Sequence, residues 1–378
     1  MIGSLALTQL QQIWWIIVSL VGALFIFMTF VQGGQTLLFT LPRTEDEKTL
    51  IINSLGRKWE LTFTTLVLFG GALFAAFPLF YATSFGGAYW VWISILFTFV
   101  IQAVSYEYRK KPNNVLGART YEVFLFVNGS LGLLLIGAAI GTFFTGSNFL
   151  LNDYNFVKWM HPLRGLEAAF NLFNVSLGVF LIFHARVLGS LYLANNLAHA
   201  DLVSRAQRAA FINLLCALPF LLVVLGGLVT MDGYAVDPAT GTVFVEAGKY
   251  LGNLFALPLN LVLLLAGLVL VVAGVVLAQF KGSTRGIWFS GLGTVLVVLA
   301  LLFLAGFNET AFYPSKVDLQ SSLTIFNASS SHYTLTAMTY IALAIPFVLA
   351  YIIYVWRSMD AGKMSLDDIN KDGHNEVY

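Results

Sequence analysis

Charged residues and cysteine are both scarce in this chain of 378 residues. Asp, Glu, Lys and Arg make up 10% of the sequence and apolar residues 58%, whereas about a quarter of an ordinary soluble protein is charged. This composition excludes a soluble globular protein. The single cysteine, Cys216, excludes an intrachain disulfide and a cluster held by several thiolates. The net charge of +1 gives no indication of a nucleic-acid partner.

Motifs for hydrolysis, nucleotide binding and metal binding are missing as well. The sequence has no Walker-type loop, no Gly-x-Ser-x-Gly elbow and no His/Glu pair at helical spacing. A haem in a helical bundle needs His, Met or Cys as axial ligand, but no histidine falls at mid-membrane. We therefore predict that this chain alone has no catalytic residue and binds no metal or haem. His184, near a helix end, remains a candidate ligand. The five histidines are His161, His184, His199, His332 and His374.

Long apolar runs are plentiful. Nine of them are long enough to cross about 30 Å of hydrocarbon, and in lipid each must be helical because its backbone polar groups find no water. The sequence predicts an all-α polytopic membrane protein with one integral-membrane domain over residues 1–378. It has nine transmembrane helices within residues 1–356 and a tail at 357–378. The predicted spans are 13–38, 61–82, 87–104, 121–144, 167–184, 209–230, 254–280, 286–307 and 333–356.

Basic residues concentrate on one side of these nine spans. Sixteen of the 20 Lys and Arg residues lie in the odd-numbered connections and the tail. We call the end of the bundle formed by these segments the basic face. Because Lys and Arg accumulate on the cytoplasmic side of membrane proteins, the sequence predicts an N-terminus outside and a cytoplasmic C-terminus.

Ionisable residues at membrane depth are rare here, and such residues are functional candidates by default. Glu60 lies where the second span begins at the basic face, directly after Trp59 and before several threonines. A partly desolvated carboxyl at this place suits inward proton transfer. An acid favoured by the positive end of the helix dipole is the structural alternative.

Further acidic side chains lie at the ends of other spans. Glu107 and Arg109 close the third span, where they form either a second gate at the basic face or a solvated ion pair. Glu122 and Glu167 begin their spans, so we expect both to cap helices.

Several runs, in order along nearly the whole chain, resemble subunit II of the cytochrome bd family of quinol oxidases. Each run is weak alone, but all of them in register are specific. They are Ile13-Trp14-Trp15, Trp59-Glu60, Gly70-Gly71-Ala72-Leu73-Phe74-Ala75-Ala76-Phe77-Pro78, Tyr106-Glu107-Tyr108-Arg109, Tyr313-Pro314-Ser315, Ser322-Leu323-Thr324, Asn327-Ala328-Ser329-Ser330 and Thr334-Leu335-Thr336-Ala337-Met338-Thr339.

The resemblance implies a partner, subunit I, which carries the b-type and d-type haems, oxidises quinol near the outer face and reduces oxygen to water. It also implies a place in the bacterial cytoplasmic (inner) membrane among lipids and quinone. The resemblance does not decide whether the complex has a small third subunit. In the family, subunit II supports subunit I and contributes to a cytoplasmic proton route. Glu60 takes the place of the acid that follows Trp in the family, and Trp59 supports it. Glu107 and Arg109 fall on the family's motif at the inner face.

This chain also departs from the family pattern. Better-known members have an Asp-Gly-Phe-Asp-like segment in span one, where this chain has Gln32-Gly33-Gly34-Gln35. Glutamine cannot titrate, so these two side chains are expected to join helices by hydrogen bonds or to line a wet passage. Two other functions stay open: a multi-span secondary transporter with Gly-rich broken helices, and a pure scaffold in which Glu60 only caps a helix.

Overall fold

The computed structural model describes residues 2–371 and is dominated by helices. The part of the predicted tail beyond 371, with His374, lies outside the described residues. The helices are α1 (Leu7–Met28), α2 (Phe30–Gln35), α3 (Glu45–Gly56), α4 (Trp59–Ala76), α5 (Pro78–Tyr81), α6 (Tyr89–Tyr108), α7 (Ala118–Val127), α8 (Leu133–Thr145), α9 (Leu172–Asn196), α10 (Ala200–Thr230), α11 (Lys249–Ala256), α12 (Pro258–Lys281), α13 (Gly286–Gly306), α14 (His332–Ala342), α15 (Ile345–Met359) and α16 (Leu366–Lys371).

Eight helical stretches in the described part are long and apolar enough to cross a membrane. The pair α14 and α15, bent by 40° at a short break, makes a ninth when counted as one span. These eight or nine candidates agree with the predicted all-α polytopic fold. The segments α1–α2, α3–α4 and α7–α8 each count as one long span, and a π-helical turn, Asn128–Gly132, joins α7 to α8.

The fifth span differs from its predicted range, 167–184, because α9 covers Leu172–Asn196. Asn171 sets the start, since its side chain accepts hydrogen bonds from the N–H groups two and three residues later. The helix continues past Arg186 because Asn213 and the Thr36 carbonyl satisfy its guanidinium. Glu167, expected to cap this span, instead lies before it in a 3₁₀ turn.

Glycines allow the central helices to approach closely. A Cβ on Gly33 of α2 would lie 1.8 Å from the carbonyl oxygen of Ala185 in α9, and one on Gly189 would lie 2.3 Å from the Gly34 nitrogen. Such contacts between small residues replace the hydrophobic driving force that is absent inside lipid. They hold α2 against α9 in the basic-face half of the bundle, where a buried apolar cluster includes Leu55 and other side chains of α3.

Two antiparallel hairpins cover the opposite face. The first pairs β1 (Phe149–Leu151) with β2 (Val157–Trp159), and the second pairs β3 (Gly233–Val236) with β4 (Val243–Glu246). The connection before α14 joins both, because Ala311 donates its N–H to the Tyr234 carbonyl and Lys316 donates its N–H to the Ser147 carbonyl. These connections therefore form one interlocked cap.

Candidate functional site

Helix α4 begins with Trp59 and Glu60 at the basic face, and two residues separate it from the end of α3. The Glu60 side chain is exposed on the surface of the chain. Trp59 is half-buried, and its ring stacks on Tyr106 of α6 with centroids 5.8 Å apart and planes at 11°. The Thr62 hydroxyl donates to the Met28 carbonyl at 3.1 Å, so this hydroxyl joins α4 to α1 and does not serve Glu60.

Tyr106 belongs to a line of buried polar side chains between α2, α6 and the π-turn. Its hydroxyl accepts a hydrogen bond from Gln35 Nε2 at 3.0 Å. Gln102 and Thr98 lie one and two turns earlier on the same face of α6, and Thr98 contacts Asn128 at 3.4 Å. We call this set the polar column: Gln32, Gln35, Thr98, Gln102, Tyr106 and Asn128.

Many polar atoms of the column lack a partner in the described part of the chain. The side-chain Oε1 and Nε2 atoms of Gln32 and Gln102 are buried and form no hydrogen bond. The same is true of Gln35 Oε1 and Asn128 Oδ1. Buried polar groups in native proteins are paired with protein or water in more than about 90% of cases. Bound water is the physical way to satisfy so many amide groups in one place, which favours the wet-passage interpretation of Gln32 and Gln35.

Arg109 ends α6 and lies below the column in a buried ion pair with Glu122 of α7. Its Nε and Nη2 donate to one Glu122 carboxylate oxygen at 3.0 and 2.7 Å, and both side chains are 3% exposed. Lys48 holds the other oxygen at 3.2 Å. The expectation that Glu122 caps its span was therefore wrong, because its carboxylate forms ion pairs with cations from α3 and α6.

Glu107 has different surroundings from Arg109, although only one residue separates them. Its exposed carboxylate lies 3.2 Å from the Lys111 ammonium, one helical turn later. The structure thus replaces the expected Glu107–Arg109 ion pair with two separate pairs, one exposed and one buried.

Lys58, directly before Trp59, is the most deeply buried cation that sequence reasoning missed. Its side chain is 0% exposed, its ammonium lies 3.0 Å from the Asp360 carboxylate, and it stands over the Trp356 ring at 5.0 Å. Asp360 also accepts from Asn196, whose carbonyl accepts from Ser54. The sequence contained one signal for this ion pair: Asp360 is the first acidic residue after the ninth span.

The structure gives a partner within the described part of the chain to three of the histidines. His184 is buried and its Nε2 contacts Thr294 Oγ1 at 2.8 Å, beside an apolar cavity of about 250 Å³. His199 caps α10, and His332 contacts the Leu5 carbonyl. Met28 is packed in the apolar core. His184 is the thirteenth of the 25 residues of α9, so it lies at the middle of a candidate span and not near a helix end, as the sequence predicted.

Comparison with known proteins decides the family. Residues 10–359 match the family model described as cytochrome bd terminal oxidase subunit II. The chain is 30% identical to cytochrome bd-I ubiquinol oxidase subunit 2 of Escherichia coli K12, over 97% of this chain and 98% of the relative. The chain belongs to the cytochrome bd subunit II family. Cytochrome bd ubiquinol oxidase subunit 2 of Bacillus subtilis is 25% identical, over 93% of this chain and 97% of the relative.

A solved bd oxidase structure from Geobacillus thermodenitrificans has the same fold as this subunit II chain. The TM-score is 0.62 at 12% identity, over 92% of this chain and 97% of the other. Family membership confirms the resemblance stated from sequence and assigns the chain to a terminal oxidase complex that reduces oxygen. It does not favour the transporter alternative.

Proposed function

We propose that this subunit II is the haem-free partner of a subunit I that carries the b-type and d-type haems, oxidises quinol and reduces oxygen to water. The occupied histidines and the family membership support this division of labour. The basic-face charge bias supports an outer N-terminus and a cytoplasmic tail at 357–378, in a bacterial inner membrane. The proposal leaves room for a small third subunit.

We further propose that Glu60 accepts protons at the basic face and passes them toward the partner. The observation that carries this role is the position of Glu60, exposed on the chain surface beside Trp59, whose ring contacts Tyr106 of the polar column. Oxygen reduction to water consumes protons, and a carboxyl at a water-accessible entrance provides a titratable acceptor.

Water in the polar column would extend this entrance into the bundle. Gln32, Gln35, Gln102 and Asn128 donate and accept hydrogen bonds without titrating, so their part is to order water. Trp59 supports the route by fixing Tyr106. Arg109, neutralised by Glu122, keeps the lower end of the column polar without leaving a net buried charge.

Glu107 is the second proton-path candidate. It lies at the same face but is exposed and paired with Lys111. Replacement of Glu107 by Gln tests whether this carboxyl serves the same route.

The experiment compares Glu60→Gln and Glu107→Gln in the purified complex by quinol-driven oxygen consumption, with the visible haem spectrum as a control for assembly. We expect Glu60→Gln to lower turnover about tenfold or more, the effect of losing a proton-transfer group. Asp46→Asn is the matched control, because Asp46 is another exposed acid of the basic-face connection. Unchanged turnover in Glu60→Gln would support the scaffold role, in which Glu60 only interacts with the α4 dipole.

A further inference from the structure

A polar pocket of about 310 Å³ lies on the face opposite the basic face. It is placed where α8 ends and α9 begins, so it sits at the ends of two membrane helices. We call it the outer pocket. The side chains that matter for its chemistry are those of Asn148, His161, Glu167, Asn171, Asn174 and Lys316.

One wall of the outer pocket holds a fixed carboxylate. Glu167 is 14% exposed and accepts a hydrogen bond from the Gly165 N–H at 2.7 Å. The Gly165 N–H bonds to Oε2 of this carboxylate. Asn148 Nδ2 lies 3.5 Å from Glu167 Oε1, and His161 Nδ1 lies 3.5 Å from Glu167 Oε2. These contacts hold the acid in place without neutralising it by a lysine or arginine.

The other charge of the pocket is the Lys316 ammonium. The backbone N–H of Lys316 bonds to the Ser147 carbonyl at 2.9 Å, which anchors the residue at the end of α8. Its ammonium forms no ion pair within 4 Å inside residues 2–371. Lys316 and Glu167 both line the outer pocket. Burial lowers the pKa of the Lys316 amine, and the Glu167 carboxylate partly opposes this effect.

A buried amide adds an unused donor. Asn174 is 1% exposed, and its carbonyl oxygen accepts from the Thr145 hydroxyl at 2.9 Å. Its Nδ2 donates to no acceptor in the part of the chain that the structure describes. Asn174 lines the outer pocket, so a bound ligand or water can supply an acceptor for this donor.

Exposed apolar side chains lie at the outer pocket and directly beside it in the chain. Phe170 lines the pocket and is 79% exposed, and Leu172, the first residue of α9, is 71% exposed. A ligand with a charged end in the pocket and hydrocarbon chains against these side chains would remove apolar surface from water.

We propose that the outer pocket binds the head group of a zwitterionic phospholipid that carries a primary amine, with its phosphate at Lys316 and its ammonium at Glu167. A purely anionic head group would face Glu167 without compensation. A divalent cation would find one carboxylate and a nearby ammonium, which is a poor ligand set for such an ion.

The test uses the intact complex after delipidation and counts bound lipid by native mass spectrometry. The probes are short-chain phosphatidylethanolamine, short-chain phosphatidylglycerol and free phosphoethanolamine. We expect the wild type to retain phosphatidylethanolamine about tenfold more strongly than phosphatidylglycerol. We expect Lys316→Gln to lose about tenfold in affinity, the effect of one charge-assisted hydrogen bond.

Two variants keep the test decisive. Glu167→Gln should remove the preference for phosphatidylethanolamine, because the ammonium loses its partner while the phosphate keeps Lys316. Lys158→Gln, an exposed lysine of β2 outside the pocket, is the matched control and should bind like the wild type. Equal retention of both lipids by the wild type, or unchanged binding in Lys316→Gln, would overturn the proposal. Free phosphoethanolamine binding as tightly as the lipid would overturn the lipid assignment.

Discussion

Trp59 and Tyr106 stack face to face, with centroids 5.8 Å apart and ring planes at 11°. This contact joins the start of α4, which carries Glu60, to the basic-face end of the polar column between α2 and α6. The Tyr106 hydroxyl extends the connection to Gln35. One aromatic pair thus links an exposed carboxyl to the interior of the bundle.

The first prediction concerns the Tyr106 hydroxyl. Tyr106→Phe keeps the ring but removes the acceptor of Gln35 Nε2, which would then be buried and unpaired at a cost of about 1 to 3 kcal/mol. We expect a several-fold lower rate of oxygen consumption with an unchanged haem spectrum. Tyr108→Phe, exposed two residues later, is the control. A lowered melting temperature with full turnover would argue against a role of this hydroxyl in the proton route.

The second prediction concerns the buried ion pair of Arg109 and Glu122. Glu122→Gln leaves the buried Arg109 with only the exposed Glu45 carboxylate, 3.7 Å away, and removal of one partner of a buried pair costs about 3 to 5 kcal/mol. We expect a clearly lower melting temperature of the complex. Glu107→Gln breaks only an exposed pair and should cost about 0 to 1 kcal/mol. Equal melting temperatures for both variants would contradict this prediction.

The third prediction concerns the segment that follows α15. Asp360→Asn leaves the fully buried Lys58 ammonium without its acid, so the segment should detach from the basic face. In this segment the Met364 N–H donates to the Asn196 carbonyl at 2.9 Å, and the Met364 carbonyl accepts from the Ala198 N–H at 2.8 Å. We expect faster amide hydrogen exchange at both residues. Asp367→Asn, an exposed acid nearby, should leave the exchange rates as they are.

The fourth prediction concerns the pH dependence of Lys316. Burial lowers the pKa of this amine, and Glu167 partly opposes the effect. A lysine whose pKa is lower in the folded state binds fewer protons there than when unfolded. Stability therefore rises with pH between the folded and unfolded pKa values.

Acylation by a water-soluble amine reagent, followed by mass spectrometry, measures the Lys316 pKa directly. The midpoint should lie below the ordinary lysine value. Glu167→Gln should lower the pKa further, because it removes an anion that favours the charged amine. A midpoint at or above the ordinary value would refute the prediction.

The fifth prediction concerns the approach of α2 to α9. A Cβ at Gly33 would overlap the Ala185 carbonyl at 1.8 Å, so Gly33→Ala should force the helices apart and sharply lower the yield of assembled complex. Gly226 has nothing within 4 Å of such a Cβ. Gly226→Ala should be neutral or stabilise α10 by about 0.5 to 1 kcal/mol. Normal assembly of Gly33→Ala would show that this contact is not limiting.

The sequence by itself determined the membrane class and the family, and it predicted nine spans where residues 2–371 contain eight or nine candidates. Apolar runs of sufficient length must become helices in lipid because no water satisfies their backbone, and this rule needs no knowledge of neighbours. Between β3 and β4 the chain carries Asp237 and Gly241, residue types that favour turns from local conformation alone.

Only the tertiary structure decided which polar groups meet. Glu122 looked like a helix cap, yet it binds Arg109 and Lys48, and Lys58 reaches Asp360 across about three hundred residues of chain. Local hydropathy carries no information about these pairs. A buried charge is tolerated only where packing brings an opposite charge to it, and that packing depends on helix contacts between distant parts of the sequence.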